Sequence, residues 1–266
     1  MDFFQQLLLA IIQALLEWLP VSSEGFIVLT AVNMFGETAE SAVRFAIYFH
    51  LGTGVAVLIK YWRTYWDALF KDKTLLRLLI LSVIGTAVVG IPVYLLLKES
   101  FGTFNGMIVT LFIGITLAVT GTLLRFGRLK ATDTLQMGNR KVGDELALGF
   151  AQGFAILPGI SRSGVTLTYL LLRGFKKEDA FKMSFVVSLP AIAGAIAFDV
   201  LFEDTALEIN YTYIILMLIV AVIGFLSMEV LLRAARKLPF DVICYILSAI
   251  TITLAVVFII IEPSFS

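Results

Sequence analysis

Cysteine, histidine and charge are all scarce in this 266-residue chain. The one cysteine, Cys244, lies inside an apolar run, which excludes an internal disulfide and any cysteine-based metal site. Only 15% of residues are charged, and twenty basic against twenty acidic side chains leave a formal net charge of zero. Nothing in that balance points to a nucleic-acid partner, so the information lies in where the charges sit. No Lys or Arg precedes residue 44, so the opening "MDFFQQ" lacks the basic region of a cleavable signal peptide. The first apolar segment is therefore expected to belong to the working protein. Soluble phosphate-binding schemes are missing too: there is no GxxxxGK[ST] and no GxGxxG following a strand.

Apolar residues are what the chain has in excess. They make up 59% of it, with a mean hydropathy of +0.97, against about 45 to 50% in soluble domains. This composition is that of an integral membrane protein. A bilayer core about 30 Å thick needs roughly 20 apolar residues at 1.5 Å each. Six runs meet that demand, at 43–61, 75–97, 105–124, 182–202, 211–232 and 242–261. Two regions fail in the same way. Residues 3–16 give about 21 Å of helix before the break Leu19-Pro20-Val21-Ser22-Ser23-Glu24-Gly25, and 26–35 add about 15 Å. Residues 146–157 and 165–172 flank "PGISRSG" (158–164) similarly. Each pair of half-helices is too short to cross twice and long enough to dip in and return.

Seventeen of the twenty Lys/Arg residues fall in four segments, 60–77, 125–145, 173–182 and 233–241. Arg44 and Lys98 lie in the intervening loops 36–44 and 98–104, the loop 203–210 has none, and Arg162 sits inside the second break. If the six long runs cross and the second broken region does not, all four basic segments share one face, which the positive-inside rule makes cytoplasmic. The expected fold is an all-α polytopic membrane protein of six transmembrane helices and two re-entrant helical hairpins. The first hairpin would enter from outside, the second from the cytoplasm, and both termini would lie outside.

The hairpins also look like copies. Gln13 and Gln152 are each followed by a Leu-Pro pair and, twelve residues on, by Gly25 and Gly164. Ser22-Ser23-Glu24-Gly25 lies over Ser161-Arg162-Ser163-Gly164. Opposite entry of matching broken segments is the signature of an inverted-topology repeat with its site near the midplane. The chain is read as one membrane domain, 1–266. Its first repeat is 1–124 with the hairpin 3–35, and its second is 142–261 with the hairpin 146–172.

Broken backbone at membrane depth must line a polar cavity or be buried in protein. Pro20 and Pro158 end the incoming half-helices. Gly25, Gly159 and Gly164 allow unusual dihedrals and close approach of backbone to a ligand. Each outgoing half-helix is expected to start just after the Ser-Ser-Glu-Gly or Ser-Arg-Ser-Gly run, presenting free N–H groups that suit an anion, phosphate especially. A buried Arg162 suits bidentate contact with phosphate or carboxylate; the plainer alternative is an ion pair with Glu17 or Glu24 that joins the hairpins. Gln13 and Glu17, four apart, share a helical face. Glu17 is a candidate metal ligand or base, or a partner of Arg162, and Ser22 and Ser23 are equally candidates for helix caps. His50, on the first long helix, is expected to be a satisfied interior residue rather than a catalyst. Asp199 and Glu229 lie near a membrane boundary, where snorkelling or pairing, such as Glu229 with Arg233, accounts for them. One histidine is too few for the His-dependent lipid phosphatases with an SRxxxGH pattern, which "PGISRSG" matches only superficially.

"QALLEWLPVSSEG" (13–25) with "LPGISRSGVT" (157–166) resembles the undecaprenyl-pyrophosphate phosphatase family of the bacitracin-resistance type. That family carries (E/Q)xxxE leading into LPVSSxGH, then PGxSRSGAT. "HLGT" (50–53) and "SFVVSLPAIAGAIAFD" (184–199) also look like family segments, so the resemblance covers nearly the whole chain. It implies hydrolysis of a polyprenyl diphosphate to the monophosphate, recycling a lipid carrier for cell-wall biogenesis, with a divalent metal such as Mg2+ or Ca2+. It implies Glu17 as metal ligand or base, Ser23 as nucleophile or phosphate contact, and Arg162 holding the diphosphate. Gln13, Ser22, Gly25, Ser161, Ser163, Gly164 and Thr166 would line the substrate. The chain departs from the pattern at two places: Phe26 stands where the family has histidine, and Glu24 replaces a small residue. Either Glu24 takes over the missing role or hydrolysis is impaired.

The expected activity is therefore a polyprenyl-diphosphate phosphatase in the plasma membrane, with its site facing outward among membrane lipids; a homo-oligomer is compatible with it. The rival from another class is a non-hydrolytic flippase or carrier of a lipid phosphate on the same scaffold, for which Phe26 is the motive. A purely structural protein would leave a buried arginine and glutamate unexplained.

Overall fold

The computed structural model describes residues 1–101, 105–202 and 211–261. Among these the chain is helical, with one isolated bridge between Leu135 and Phe175 and no strand ladder. The elements are α1 (Phe3–Leu16), α2 (Ser23–Phe35), α3 (Ala39–Phe70), α4 (Lys73–Phe101), α5 (Gly106–Lys130), α6 (Val142–Gly153), α7 (Arg162–Leu172), α8 (Lys177–Val186), α9 (Ser188–Phe202), α10 (Tyr211–Lys237) and α11 (Phe240–Ile261). Six stretches are long and apolar enough to cross a membrane: α3, α4, α5, α8 with α9, α10 and α11. The six long runs read from the sequence are thus present. The loop 203–210 and residues 102–104 lie outside the described residues, as does the end of the chain after Ile261.

The boundaries differ in informative ways. The run 43–61 becomes a 32-residue helix, about 48 Å long, because polar residues are tolerated once a helix leaves the apolar layer. It kinks at Tyr61 (φ −112°, ψ 22°), where the apolar run ends. Residues 98–101, read as loop, are the last turn of α4. The span expected at 182–202 starts earlier and breaks at Val187. Pro190 has no N–H to give Val186, and the Tyr65 hydroxyl supplies the missing bond to the Val186 carbonyl at 2.9 Å.

The four basic segments meet at one end of the bundle. Arg77 and Arg140 both grip Glu145, at 2.8 and 3.1 Å. Arg128 reaches Asp241 at 2.7 Å, and the Arg236 guanidinium lies 5.4 Å from the Phe181 ring centre. The N-terminal amine pairs with Glu37 at 2.8 Å.

Two apolar clusters form the interior. One gathers Trp18, Phe175, Phe181 and Phe185, and the other Leu9, Ile27, Phe49, Ile113 and Leu216. Large side chains such as Leu218, Leu226, Ile250 and Phe258 remain exposed. Outward-facing apolar residues on this scale suit hydrocarbon as the solvent. The packing is reciprocal: α1 lies against α10 while α6 lies against α4, and α3 contacts α10 while α9 contacts α4.

Candidate functional site

Both breaks are made by the same local chemistry. Ser22 caps α2, its Oγ accepting from Gly25 N–H at 3.0 Å, and Ser161 caps α7, accepting from Gly164 N–H at 3.1 Å. The outgoing helices therefore begin at Ser23 and Arg162, inside the serine motifs rather than after them. This corrects the expected start, and the reason is that a serine cap needs its partner N–H two or three residues into the helix. It also places Glu24, Gly25, Ser163 and Gly164 in first helical turns. Of the three glycines read as conformational exceptions, only Gly159 has a left-handed backbone, φ +95°.

The non-helical peptides at the breaks are satisfied by neighbouring side chains. Thr116 Oγ1 donates to the Pro158 carbonyl at 2.6 Å and Thr120 Oγ1 to the Gly159 carbonyl at 2.9 Å. The first break receives Ser163 Oγ on the Leu19 carbonyl at 3.2 Å. The breaks touch directly: Gly159 N–H donates to Ser22 Oγ at 3.0 Å. A Cβ on Gly25 would sit 3.0 Å from Gly159 N, tighter than an ordinary contact, so the bare glycine favours this approach.

Glu17 is the hub. Its Oε2 accepts from Gln13 Nε2 at 2.9 Å and Ser23 Oγ at 2.8 Å, and His50 Nε2 lies 3.3 Å away. Its Oε1 accepts from Arg162 Nη2, joining the two breaks by an ion pair. Arg162 further donates to the Ser184 carbonyl at 3.3 Å and lies 5.4 Å from the Phe185 ring centre. Glu17 is 5% exposed and Glu24 8%. Their situations are opposite, since Glu24 Oε1 is buried with no hydrogen-bond partner among the described residues.

Two cavities share Glu24, His50 and Arg162 as walls. The smaller also touches Glu17, Ser22, Ser23, Ser161 and Ser163. The larger, about 200 Å3, is lined mainly by apolar side chains of α4 and α9, with Gln152 and Asp199 among its few polar walls. A polar chamber thus adjoins an apolar one across a guanidinium and a carboxylate.

Of the residues singled out from sequence, Glu17, Ser22, Ser23, Glu24, Ser161, Arg162 and Ser163 meet around the smaller cavity. Gln13 stands behind Glu17 as a fully buried donor. Gly25 and Gly164 supply capped backbone, and Thr166 is turned to the Arg162 carbonyl at 2.8 Å and the Ser184 hydroxyl at 2.7 Å, away from both cavities. Two expectations change. His50, read as an ordinary interior residue, is a wall of both cavities and contacts Glu17. The signal was available: it is the one ionisable side chain in the middle of a long apolar helix. Asp199, read as snorkelling or paired, is buried and accepts from the hydroxyls of Tyr48 and Tyr94. Glu229 does pair, with Lys60 at 2.6 Å and Arg233 at 3.7 Å.

Comparison with known proteins identifies the family. Residues 6–253 match the family model described as bacitracin resistance protein BacA. A Methanothrix thermoacetophila protein named undecaprenyl-diphosphatase is 39% identical over 255 residues, 96% of this chain and 97% of the relative. Proteins of the same name from Methanopyrus kandleri and Haloarcula marismortui are 36% and 35% identical, covering 94% and 90% of this chain and 95% and 92% of their own. With the family model spanning both breaks and five of the long apolar helices and reaching into the sixth, the chain belongs to the BacA bacitracin-resistance family.

Proposed function

We propose that this protein is a membrane phosphatase that hydrolyses a long-chain polyprenyl diphosphate to the monophosphate, returning a lipid carrier to use. The observation that carries the reading is the Glu17–Arg162 pair across two touching breaks, beside an apolar cavity. The names of the relatives support it. The α1–α2 and α6–α7 pairs are read as re-entrant hairpins of an inverted repeat, which the reciprocal packing of α1 on α10 and α6 on α4 supports. Clustering of seventeen of the twenty basic residues at one end supports a cytoplasmic assignment for that end. The N-terminus and the site's mouth then face outward from the plasma membrane.

In this reading the diphosphate enters between Arg162 and the serine-capped helix starts, its apolar tail along the larger cavity. The phosphate competes with Glu17 for the guanidinium fork, so substrate entry takes the cation from Oε1 and leaves the carboxylate a stronger base toward Ser23 at Oε2. Ser23 already donates to Glu17, the geometry of a nucleophile beside its base. As Ser23 Oγ bonds to the terminal phosphorus, its proton passes to Glu17 and the bond to the bridging oxygen breaks, releasing the lipid monophosphate. Water then cleaves the seryl phosphate; direct attack by water on the diphosphate uses the same base. Helix N-termini and Arg162 oppose the charge that builds on the transferring group.

Among the described residues no three His, Cys, Asp or Glu side chains form a ready metal-ligand set. The partnerless Glu24 Oε1 nevertheless fits a divalent ion, because Mg2+ usually takes one or two carboxylates and completes its shell with water and substrate phosphate. Glu24 would hold the ion with the diphosphate, with Glu17 available once Arg162 turns to phosphate. Such an ion supplies Lewis-acid neutralisation of the phosphoryl oxygens.

The test is phosphate release by purified protein from a polyprenyl diphosphate, with and without Mg2+ or Ca2+. Metal-dependent turnover that Glu17→Gln and Arg162→Ala each abolish is expected. Turnover surviving both changes would refute the site, and saturable lipid-phosphate binding or transfer without release would replace the phosphatase by a carrier.

A further inference from the structure

We infer that His50, supplied by α3, is a positioning residue for Glu17, in a chain that has Phe26 where the family motif places a histidine. The inference rests on the phosphatase reading above. Phe26 packs against the apolar cluster that contains Trp18 and Phe185, and it borders neither cavity. An imidazole from another helix, α3, arrives at the Glu17 carboxylate instead. Its Nδ1 faces the Ala46 carbonyl at 2.6 Å and its Nε2 faces Glu17 Oε2 at 3.3 Å. Both ring nitrogens thus face oxygens, Nδ1 the Ala46 carbonyl and Nε2 the Glu17 carboxylate.

Several features hold the ring in register. The Thr53 hydroxyl donates to the His50 carbonyl at 3.1 Å. Gly52, two residues on, lets α3 lie so close to α10 that a Cβ there would fall 2.6 Å from the Met217 carbonyl oxygen. With Gln13 on the other side, His50 fixes the Glu17 carboxylate opposite Ser23. The charged and titratable groups facing His50 are Glu17 and Glu24 from the first break and Arg162 from α7. When Arg162 leaves Glu17 for the diphosphate, His50 and Gln13 are the contacts that keep the carboxylate aimed at Ser23. His50 therefore acts through Glu17, as a positioning residue.

The experiment uses the full chain without a histidine tag, in detergent, with Mg2+ and a polyprenyl diphosphate. His50→Ala is expected to lower kcat by roughly 10 to 100-fold, the usual loss when a residue that orients a reactive group is removed, with KM little changed. His50→Gln keeps an N–H that reaches Glu17 and is expected to recover most of that loss. Undiminished kcat in His50→Ala, or a folded His50→Gln no better than His50→Ala, would overturn the inference. A second readout needs no turnover. Because the chain has one histidine, its 15N-labelled imidazole gives one Nε2 resonance, which must shift in Glu17→Gln and stay put in Glu229→Gln. No shift in Glu17→Gln refutes the His50 assignment even in a protein that hydrolyses, and a shift in a protein that releases no phosphate upholds the contact while refuting the phosphatase.

Discussion

The two breaks share a scaffold and divide the chemistry. Each has a proline, a serine that caps the outgoing helix, and a glycine three residues after that serine, yet the first carries Glu17 and Glu24 and the second carries Arg162. Their backbones are also held differently. The second break is tied down by Thr116 and Thr120 of α5, whereas the first is held by Ser163 and Arg162 of the second. The lesson is one of hierarchy: α5 fixes the second break, and that break in turn places the Glu17 carboxylate of the first. Two breaks carrying charge of the same sign would set like against like at the contact, at a cost that lipid surroundings magnify.

The largest expected effect comes from deleting one side of the charge division. Arg162→Met leaves Glu17 without its guanidinium, and removing one partner of a buried pair costs about 3 to 5 kcal/mol. Thermal unfolding in detergent checks it, and Glu17→Gln added to Arg162→Met should recover part of the loss. A double variant no more stable than Arg162→Met would mean the pair does not hold the breaks together.

Next comes the backbone. Gly159→Ala meets a left-handed φ of +95° and the Thr116 hydroxyl, so a loss of roughly 1 to 3 kcal/mol is expected. Gly25→Ala meets Gly159 N at 3.0 Å from a relaxed helical backbone and should cost less. The reverse order would show that the first break, not the second, is the fixed one.

Smaller still is the difference between the caps. Ser22 accepts from both Gly25 and Gly159, while Ser161 accepts from Gly164. Each serine to alanine change should cost about 1 kcal/mol, with Ser22→Ala the worse. Equal losses would mean that the contact between breaks adds nothing to the cap.

The smallest effect lies outside both breaks, at Asp144 on α6. Burial opposes its charge, but the Arg173 guanidinium at 2.6 Å and the Lys141 N–H at 2.9 Å hold its carboxyl below the usual range. A depressed carboxylate stabilises the fold above its unfolded pKa and loses that contribution as pH falls through the folded value. Unfolding midpoints should therefore hardly distinguish wild type from Asp144→Asn near the lower value and should separate them at neutral pH. Arg173 is largely exposed, so a difference of at most about 1 kcal/mol is expected.

The sequence by itself determined the membrane class, the six apolar helices, the two breaks and the polar side chains gathered there. These follow from local quantities: apolar length against bilayer thickness, proline and serine at helix ends, and the spacing of Gln13 and Glu17 on one face. Tertiary structure alone decided that Arg162 selects Glu17 rather than Glu24, that the Ser22 cap also accepts from Gly159 across the breaks, and that Phe26 turns to the core while His50 enters the site. Those outcomes depend on how separate helices pack across α3, α5 and α7. A side chain thirty-three residues from Glu17 along the chain has no sequence period tying it to that carboxylate; only the crossing of two helices brings an imidazole and an acid within reach.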